Sequence, residues 1–130
     1  MGIKYLWDTN IVIYFLQQQF PSGAEKFVDE LLKEGMPIIS AITEIELLCW
    51  KTASPKDIDL LHSFINDALV IEIERPIKLK TAELRKQYNI KLPDAIIADT
   101  AFYYGFTLIT NNIKDFKNIT GLEVINPFIL

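Results

Sequence analysis

Short runs of β-branched and other apolar residues alternate with helical patterns along the whole of this 130-residue chain. A strand, a helix and a second strand normally form a right-handed crossover between parallel strands, so this order predicts a mainly parallel sheet. The predicted strands cover residues 3–7, 37–41, 69–73, 106–109 and 123–125, and the predicted helices cover residues 9–18, 22–34, 43–52, 54–66, 76–88 and 93–104. The expected fold class is α/β, a compact three-layer domain in which about five strands carry helices on both faces.

Local signals mark several of the predicted helix ends. The pairs Ser22 with Glu25 and Thr43 with Glu46 have the spacing of a capping box, in which two side chains bond the free amides of a first helical turn. Gly105 suits the left-handed position that follows a helix.

Length and composition limit the class of protein. Half of the residues are hydrophobic, which is enough for one core and too few for two ordinary domains, so we expect residues 1–130 to form one domain. No apolar run approaches the roughly 20 residues that cross a bilayer, and no signal-peptide pattern is present, so we expect a soluble cytoplasmic protein with no membrane partner. Cys49 is the only cysteine, which excludes an internal disulfide and a thiolate zinc site; we expect it to be buried.

Four carboxylates stand where an apolar segment gives way to a polar turn or a helix start: Asp8, Glu46, Asp94 and Asp115. Because the carboxyl ends of parallel strands share one edge of a sheet, acids at several such ends can converge on one crevice. Convergent carboxylates repel one another unless a cation neutralises them. Carboxylate oxygens suit hard ions such as Mg²⁺ or Mn²⁺, so this pattern predicts a metal site.

Each of these acids also has a structural explanation. Asp8 is placed to cap a helix, Glu46 completes a capping box, Asp94 lies in a first helical turn where the helix dipole favours a carboxylate, and Asp115 fits an exposed turn. Glu44 competes with Glu46, yet residues two apart on a helix differ by about 200°, so one of them faces the crevice and we favour Glu46. The four together carry more weight than any one of them.

Other polar residues flank these acids. Thr9 and Asn10 are placed to orient the Asp8 carboxylate, and Asn112 is placed to support a metal site beside Asp115. Asp99 lies about 140° round its helix from Asp94, which makes it a weaker candidate for the same site.

The charge is unevenly distributed. The net charge of −4 argues against a general affinity for nucleic acid, since binding to the phosphate backbone is driven by Lys and Arg. Residues 1–74 hold 5 basic and 12 acidic side chains, whereas residues 75–130 hold 8 basic and 5 acidic ones. Six of the eight basic residues in the second part lie within residues 75–91. A solvated helix face explains this basic cluster as well as a phosphate-binding surface does. The cations that we propose for RNA binding are Lys80, Arg85, Lys86 and Lys91.

Other catalytic chemistries have little support. His62 is the only histidine, and its helical context predicts a packing or surface residue rather than a ligand or a general base. The five glycines are too scattered to form a phosphate-binding loop.

In four segments that come in the same order, the chain resembles the PIN-domain family, specifically the VapC-type toxin nucleases of toxin–antitoxin systems: Asp8-Thr9-Asn10, Ser40 to Leu47, Leu92 to Ala98, and Thr110 to Phe116. The resemblance covers nearly the whole chain. It implies a Mg²⁺- or Mn²⁺-dependent endoribonuclease that hydrolyses RNA phosphodiester bonds. It also implies a homodimer, controlled by a cognate antitoxin protein.

Carried onto this sequence, the resemblance implies that Asp8 and Asp94 are the principal metal ligands, with Glu46 and Asp115 completing the acidic set. The side chains expected around them are Thr9, Asn10, Thr43, Asn112 and Asp99. Two positions depart from the family pattern, because a small residue is more common at Asp99 and an arginine at Asn111.

Two rival functions fit parts of the pattern. A non-catalytic PIN module that binds RNA or a partner protein would keep the fold without the reaction. A phospho-receiver signalling domain would have a similar length and an acidic Mg²⁺ pocket, but it should show paired acids near the first strand, where this chain has the single Asp8.

Overall fold

The computed structural model describes residues 2–130. Its strands are β1 (Tyr5–Trp7), β2 (Ile38–Ser40), β3 (Leu69–Ile71), β4 (Thr107–Ile109) and β5 (Val124–Ile125). Its α-helices are α1 (Thr9–Leu16), α2 (Ser22–Glu34), α3 (Ala41–Leu48), α4 (Pro55–Asp67), α5 (Arg75–Gln87), α6 (Leu92–Tyr104) and α7 (Ile113–Phe116). A 3-10 helix, Pro127–Ile129, follows β5.

The five strands form one parallel sheet in the order β3-β2-β1-β4-β5. Strand β1 lies at the centre, where Leu6 aligns with Ile38 of β2 and with Leu108 of β4. The α/β class and the parallel sheet are therefore confirmed. The strand order also excludes the receiver alternative, because receiver domains have the order 2-1-3-4-5.

The sheet separates two hydrophobic cores. Since successive side chains of a strand point to opposite faces, neighbouring residues in the central strands enter different cores: Leu6 and Trp7, Ile38 and Ile39, Leu108 and Ile109. One core is completed by α5, α6 and α7 through residues such as Leu84 and Phe116. The other is completed by α1, α2 and α4. Helices thus cover both faces of the sheet, as predicted.

Several local predictions need correction. Within residues 2–130, no side-chain hydrogen bond caps α2, so the Ser22 capping box is absent there. Helix α3 begins at Ala41 with Ser40 as its N-cap, which places Thr43 inside the helix and not at its cap. Cys49 is exposed and not buried. Gly105, by contrast, adopts the predicted left-handed conformation after α6, with φ 70°.

Across residues 2–130, no helix has both the length and the apolar character that crossing a membrane requires.

Candidate active site

The ends of β1 and β4 bring the first two polar groups of the site together. Asp8 follows β1 directly, and its backbone amide donates to the Ile109 carbonyl of β4 at 3.0 Å. Thr110 is the next residue after β4. Because the two strands are parallel neighbours in register, both residues emerge at the same carboxyl edge of the sheet.

Asp8 is buried and held by two hydrogen bonds. Its Oδ1 accepts from the Thr9 backbone amide at 2.8 Å, and its Oδ2 accepts from the Thr110 hydroxyl at 2.7 Å. Burial raises the pKa of Asp8, the two hydrogen bonds oppose that rise, and the charges of Glu46 and Asp115 add to it. Asp8 is also the N-cap of α1. The capping role and a place in the acidic cluster are therefore compatible.

Glu46 reaches the site from α3. Its Oε1 accepts from the Thr9 hydroxyl at 2.6 Å, and the same Thr9 oxygen lies 3.1 Å from the hydroxyl of Thr43. The single hydroxyl proton of Thr9 goes to the carboxylate, so Thr43 donates to Thr9. Thr43 is fully buried. This chain links α1 to α3 and orients Glu46.

Asp115 is the exposed member of the group. It lies on the short helix α7, and its Oδ2 accepts from Asn112 Nδ2 at 2.6 Å. The backbone amide of Asn112 donates to the Thr110 hydroxyl at 3.0 Å. The segment after β4 therefore connects Asp115 to the buried end of the sheet.

Asp94 lies in the first turn of α6. Desolvation raises the pKa of Asp94 to about 6, and the charges of Asp8, Asp115 and Glu46 act in the same direction. Lys91 is the group that opposes them. Within residues 2–130, no hydrogen bond is among the influences on this pKa, which distinguishes Asp94 from Asp8.

The charges of Glu46 and Asp115 act on Asp8, and the charges of all three act on Asp94, where Lys91 is the opposing cation. In residues 2–130 none of the four acids is paired with Lys or Arg; the ion pair that the structure holds there joins Lys80 Nζ to Glu83 Oε2 at 3.9 Å. Oxygen donors with uncompensated negative charge suit a hard divalent cation.

As their side chains stand, no three carboxylates of residues 2–130 are arranged closely enough to hold an ion between them. This agrees with the chemistry of Mg²⁺, which keeps several waters and binds through one or two carboxylates together with substrate phosphate. The residues present therefore fit such an ion without forming a closed protein cage.

Asp99 faces away from this cluster. Its charged neighbours are Lys80 and Glu83, and the Thr81 hydroxyl lies nearby, all of them on α5. Within residues 2–130, Thr81 Oγ1 is itself buried without a hydrogen-bond partner. The Oδ2 atom of Asp99 is buried without a hydrogen-bond partner in residues 2–130. The structure thus places Asp99 between α5 and α6 and Asp115 beside the other three acids. Asn10, also predicted near the site, is exposed on α1.

The cations predicted for RNA binding are all exposed but do not form one stripe. Lys80 and Arg85 differ by about 140° round α5, and Lys86 lies about 100° beyond Arg85. Arg85 Nε donates to the Ile90 carbonyl at 3.1 Å. Lys91 is the one of these four cations whose charge acts on the pKa of Asp94.

Thr110 is the residue of the site that sequence reasoning missed. It is fully buried and bonds both Asp8 and the Asn112 amide. The signal that marked Asp8, a polar residue directly after an apolar strand, is also present at Thr110. A neutral hydroxyl at such a position is common, however, and does not by itself indicate a metal site as a carboxylate does.

Comparison with known proteins agrees with this geometry. A family model described as PIN domain matches residues 5–122. Ribonuclease VapC2 of Rickettsia felis is 30% identical over 130 residues, covering 94% of this chain and 96% of the relative. The tRNA(fMet)-specific endonuclease VapC of Shigella flexneri is 29% identical over 129 residues, covering 93% and 96%.

Two solved structures share the fold over most of the chain. VapBC2 of Rickettsia felis, bound to a DNA fragment from its promoter, has a TM-score of 0.80 and 28% identity, covering 95% of this chain and 98% of that one. A toxin–antitoxin complex of Klebsiella pneumoniae has a TM-score of 0.77 and 31% identity, covering 95% and 98%. The chain therefore belongs to the PIN-domain family, and within it to the VapC-type ribonucleases.

Proposed function

We propose that this protein is a divalent-metal-dependent endoribonuclease that hydrolyses RNA phosphodiester bonds and acts as the toxin of a toxin–antitoxin pair. The observation that carries the proposal is that the charges of Glu46 and Asp115 act on Asp8, and that the charges of all three act on Asp94. Relatives named as VapC ribonucleases support the same activity.

One or two of the four acids would bind Mg²⁺ or Mn²⁺ directly, and the others would act on the ion through their charge and through its waters. When bound, the ion would activate water as the nucleophile and offset the charge that develops on the phosphate. The protein contributes fixed geometry, because Thr9 and Thr110 hold Asp8 and Thr9 also holds Glu46. No histidine or cysteine is needed for this reaction, and neither His62 nor Cys49 is among the groups that act on the pKa of Asp8 or Asp94.

RNA would approach from the side of α5 and the start of α6. The charge of Lys91, the N-cap of α6, acts on Asp94. Lys80, Arg85 and Lys86 are exposed on α5. These cations would attract the phosphate backbone and offset the negative charge of the cluster. As in the relatives named for their RNA targets, the substrate would be a structured RNA.

Control of the activity would require a partner. The structural neighbours are toxin–antitoxin complexes, so we propose that a cognate antitoxin protein binds this chain and blocks the site. A homodimer completes the proposed assembly. Co-purification of a tagged chain with the product of the adjacent reading frame tests the antitoxin, and sedimentation of the free chain tests the dimer.

Incubation of total cellular RNA with the purified protein tests the activity itself. Discrete fragments in Mg²⁺ or Mn²⁺ that disappear in EDTA are expected. A folded protein that binds Mn²⁺ and RNA but produces no fragments from any RNA would instead support a non-catalytic binding module.

A further inference from the structure

A continuous chain of hydrogen bonds joins two of the four acids. The Thr110 hydroxyl donates to Asp8 Oδ2 at 2.7 Å and accepts from the Asn112 backbone amide at 3.0 Å. The side chain of the same Asn112 donates from Nδ2 to Asp115 Oδ2 at 2.6 Å. Asp8 and Asp115 are 107 positions apart in sequence, and two residues connect them.

The direction of each bond follows from the groups present. A carboxylate accepts only, and a backbone amide donates only, so the Thr110 hydroxyl must donate to Asp8 and accept from Asn112. The hydroxyl therefore has a fixed orientation. A bond to a carboxylate is charge-assisted and stronger than a neutral one, and Thr110 has no exposure to water that would compete for it.

We propose that Thr110 and Asn112 form a positioning pair that holds Asp8 and Asp115 as one unit for a divalent ion, an inference that rests on the proposed function. Without the hydroxyl, Asp8 Oδ2 loses its partner and the Asn112 amide loses its acceptor. Both carboxylates then gain rotational freedom. The effect of Asn112 on the ion passes through Asp115 on one side and Thr110 on the other.

The remaining two acids are held in other ways. Glu46 is bonded by the Thr9 hydroxyl, and Asp94 stands at the start of α6. The Thr110–Asn112 pair therefore positions Asp8 and Asp115 but not the other two acids. Its loss leaves Glu46 and Asp94 in place. Metal affinity should fall without disappearing.

Thr100 provides a matched control. It is buried like Thr110, but its hydroxyl donates to the Ile96 carbonyl of its own helix at 2.7 Å. Threonine to valine makes the same chemical change at both positions. A difference between the two variants therefore reports the bond to Asp8 and not the general cost of burying valine in place of threonine.

The experiment is a calorimetric titration of the folded chain with Mn²⁺, with cleavage of total RNA measured in parallel. Thr110→Val should lower the Mn²⁺ affinity about tenfold to a hundredfold, the range for lost partners of metal ligands. Thr110→Ser keeps the hydroxyl and should stay within about threefold of wild type. Thr100→Val should leave the affinity unchanged. Equal affinities of Thr110→Val and wild type would overturn the proposal.

A double-mutant cycle tests the coupling. Asn112→Ala alone should lower the Mn²⁺ affinity, by about tenfold. Combined with Thr110→Val, it should cost less than it does in wild type, because Asn112 without its backbone bond to Thr110 already holds Asp115 less firmly. Combined with Thr100→Val, its effect should be additive. Full additivity with Thr110→Val would show that the two residues act separately and would overturn the pair.

The outcomes separate this inference from the proposed function. Wild type that binds Mn²⁺ and cuts RNA, with Thr110→Val doing the same, contradicts the positioning pair and leaves the nuclease intact. Wild type that neither binds Mn²⁺ nor cuts RNA contradicts both. If Thr110→Val does not fold, Asn112→Ala carries the test, since Asn112 lies outside the buried core, and an unchanged affinity in that variant contradicts the pair.

Discussion

Asp94 and Asp8 show how two carboxylates of one cluster differ at the scale of the residue. Both have a raised pKa, with burial as the largest cause. Hydrogen bonds from Thr9 and Thr110 oppose the rise in the pKa of Asp8. The charge of Lys91 opposes the rise in the pKa of Asp94. Within residues 2–130, the rise in the pKa of Asp94 is thus opposed by a cation and by no hydrogen bond.

This difference predicts a pH-dependent stability of the metal-free protein. The pKa of Asp94 rises from 3.8 to about 6 on folding, so its contribution to stability is full below pH 3.8 and is lost as the pH rises through 6. Asp94→Asn removes this loss. Urea unfolding in EDTA at about pH 5 and about pH 7.5 measures it.

Between those two pH values, the wild type should lose about 1 kcal/mol more unfolding free energy than Asp94→Asn, a figure that already allows for solvent screening of a partly exposed group. Asp8 titrates in both proteins, and its coupling to Asp94 is part of the difference that the comparison measures. An equal loss of unfolding free energy in the two proteins would show that folding does not raise the pKa of Asp94.

Residue-level prediction from the sequence used one local rule, a carboxylate where an apolar strand or helix gives way to a polar turn or helix start. The rule selected four acids; in the structure three of them act on the pKa of Asp94, and their catalytic role stays a prediction. Asp99 illustrates the limit of the rule, since its position relative to α5 depends on the crossover of two helices. Thr110 was missed because its role appears only when β4 pairs with β1.

At the scale of the element, strands and helices were largely predictable because apolar periodicity and local caps agree. The start of α3 was not. Ser40 and Thr43 both have a capping hydroxyl, and sequence spacing favoured Thr43 through Glu46. In the fold the side chains of Thr43 and Glu46 bond Thr9 instead, at separations of 34 and 37 positions in sequence.

Substitution of Gly105 tests whether α6 ends in the left-handed conformation that the structure shows. Its φ of 70° lies in the left-handed region, and an added Cβ would meet nothing within 4 Å. Gly105→Ala should therefore cost about 1 kcal/mol from backbone conformation alone. Gly35, after α2, is extended at φ 169° with equal space, so Gly35→Ala should not destabilise the protein. The urea midpoints of both variants measure the loss of stability. An equal loss in the two variants would contradict the left-handed conformation of Gly105 at the end of α6.

The cations of α5 make a second prediction at this scale. Neutralising Lys80, Arg85 and Lys86 to Gln should weaken RNA binding and reduce the slope of log affinity against log salt by roughly 0.7 for each phosphate that these cations neutralise. Fluorescence anisotropy with labelled RNA over a salt series measures the slope.

The matched control removes three exposed cations from α2 and α4, Lys26, Lys33 and Lys56. That variant has the same net charge as the α5 variant. If both variants change the slope equally, the effect comes from overall charge, and α5 has no special role in binding RNA.

At the scale of the whole molecule, the site joins elements that are far apart in the chain. Asp8 follows β1, Glu46 is on α3, Asp94 is on α6 and Asp115 is on α7. The ion proposed for this cluster would therefore link elements from the two halves of the chain. The order of the elements was predictable from the sequence, but the distances between these side chains were not, because they depend on how the helices pack on the sheet.

Metal should therefore stabilise the whole protein. With Mn²⁺ at a hundred times its Kd, the unfolding free energy should rise by about 2.7 kcal/mol through linkage. Asp94→Asn should show a much smaller rise in Tm under the same conditions. A rise that is equal in both proteins would place the ion elsewhere in the molecule.

The most direct test of the account compares two aspartates of α6 that undergo the same substitution. Asp94 belongs to the acidic cluster, and Asp99 faces α5. Cleavage of total cellular RNA in Mn²⁺ should be abolished in Asp94→Asn and retained in Asp99→Asn, with both variants folded. Full activity of Asp94→Asn would contradict the central claim that the four carboxylates at this edge of the sheet form the catalytic centre.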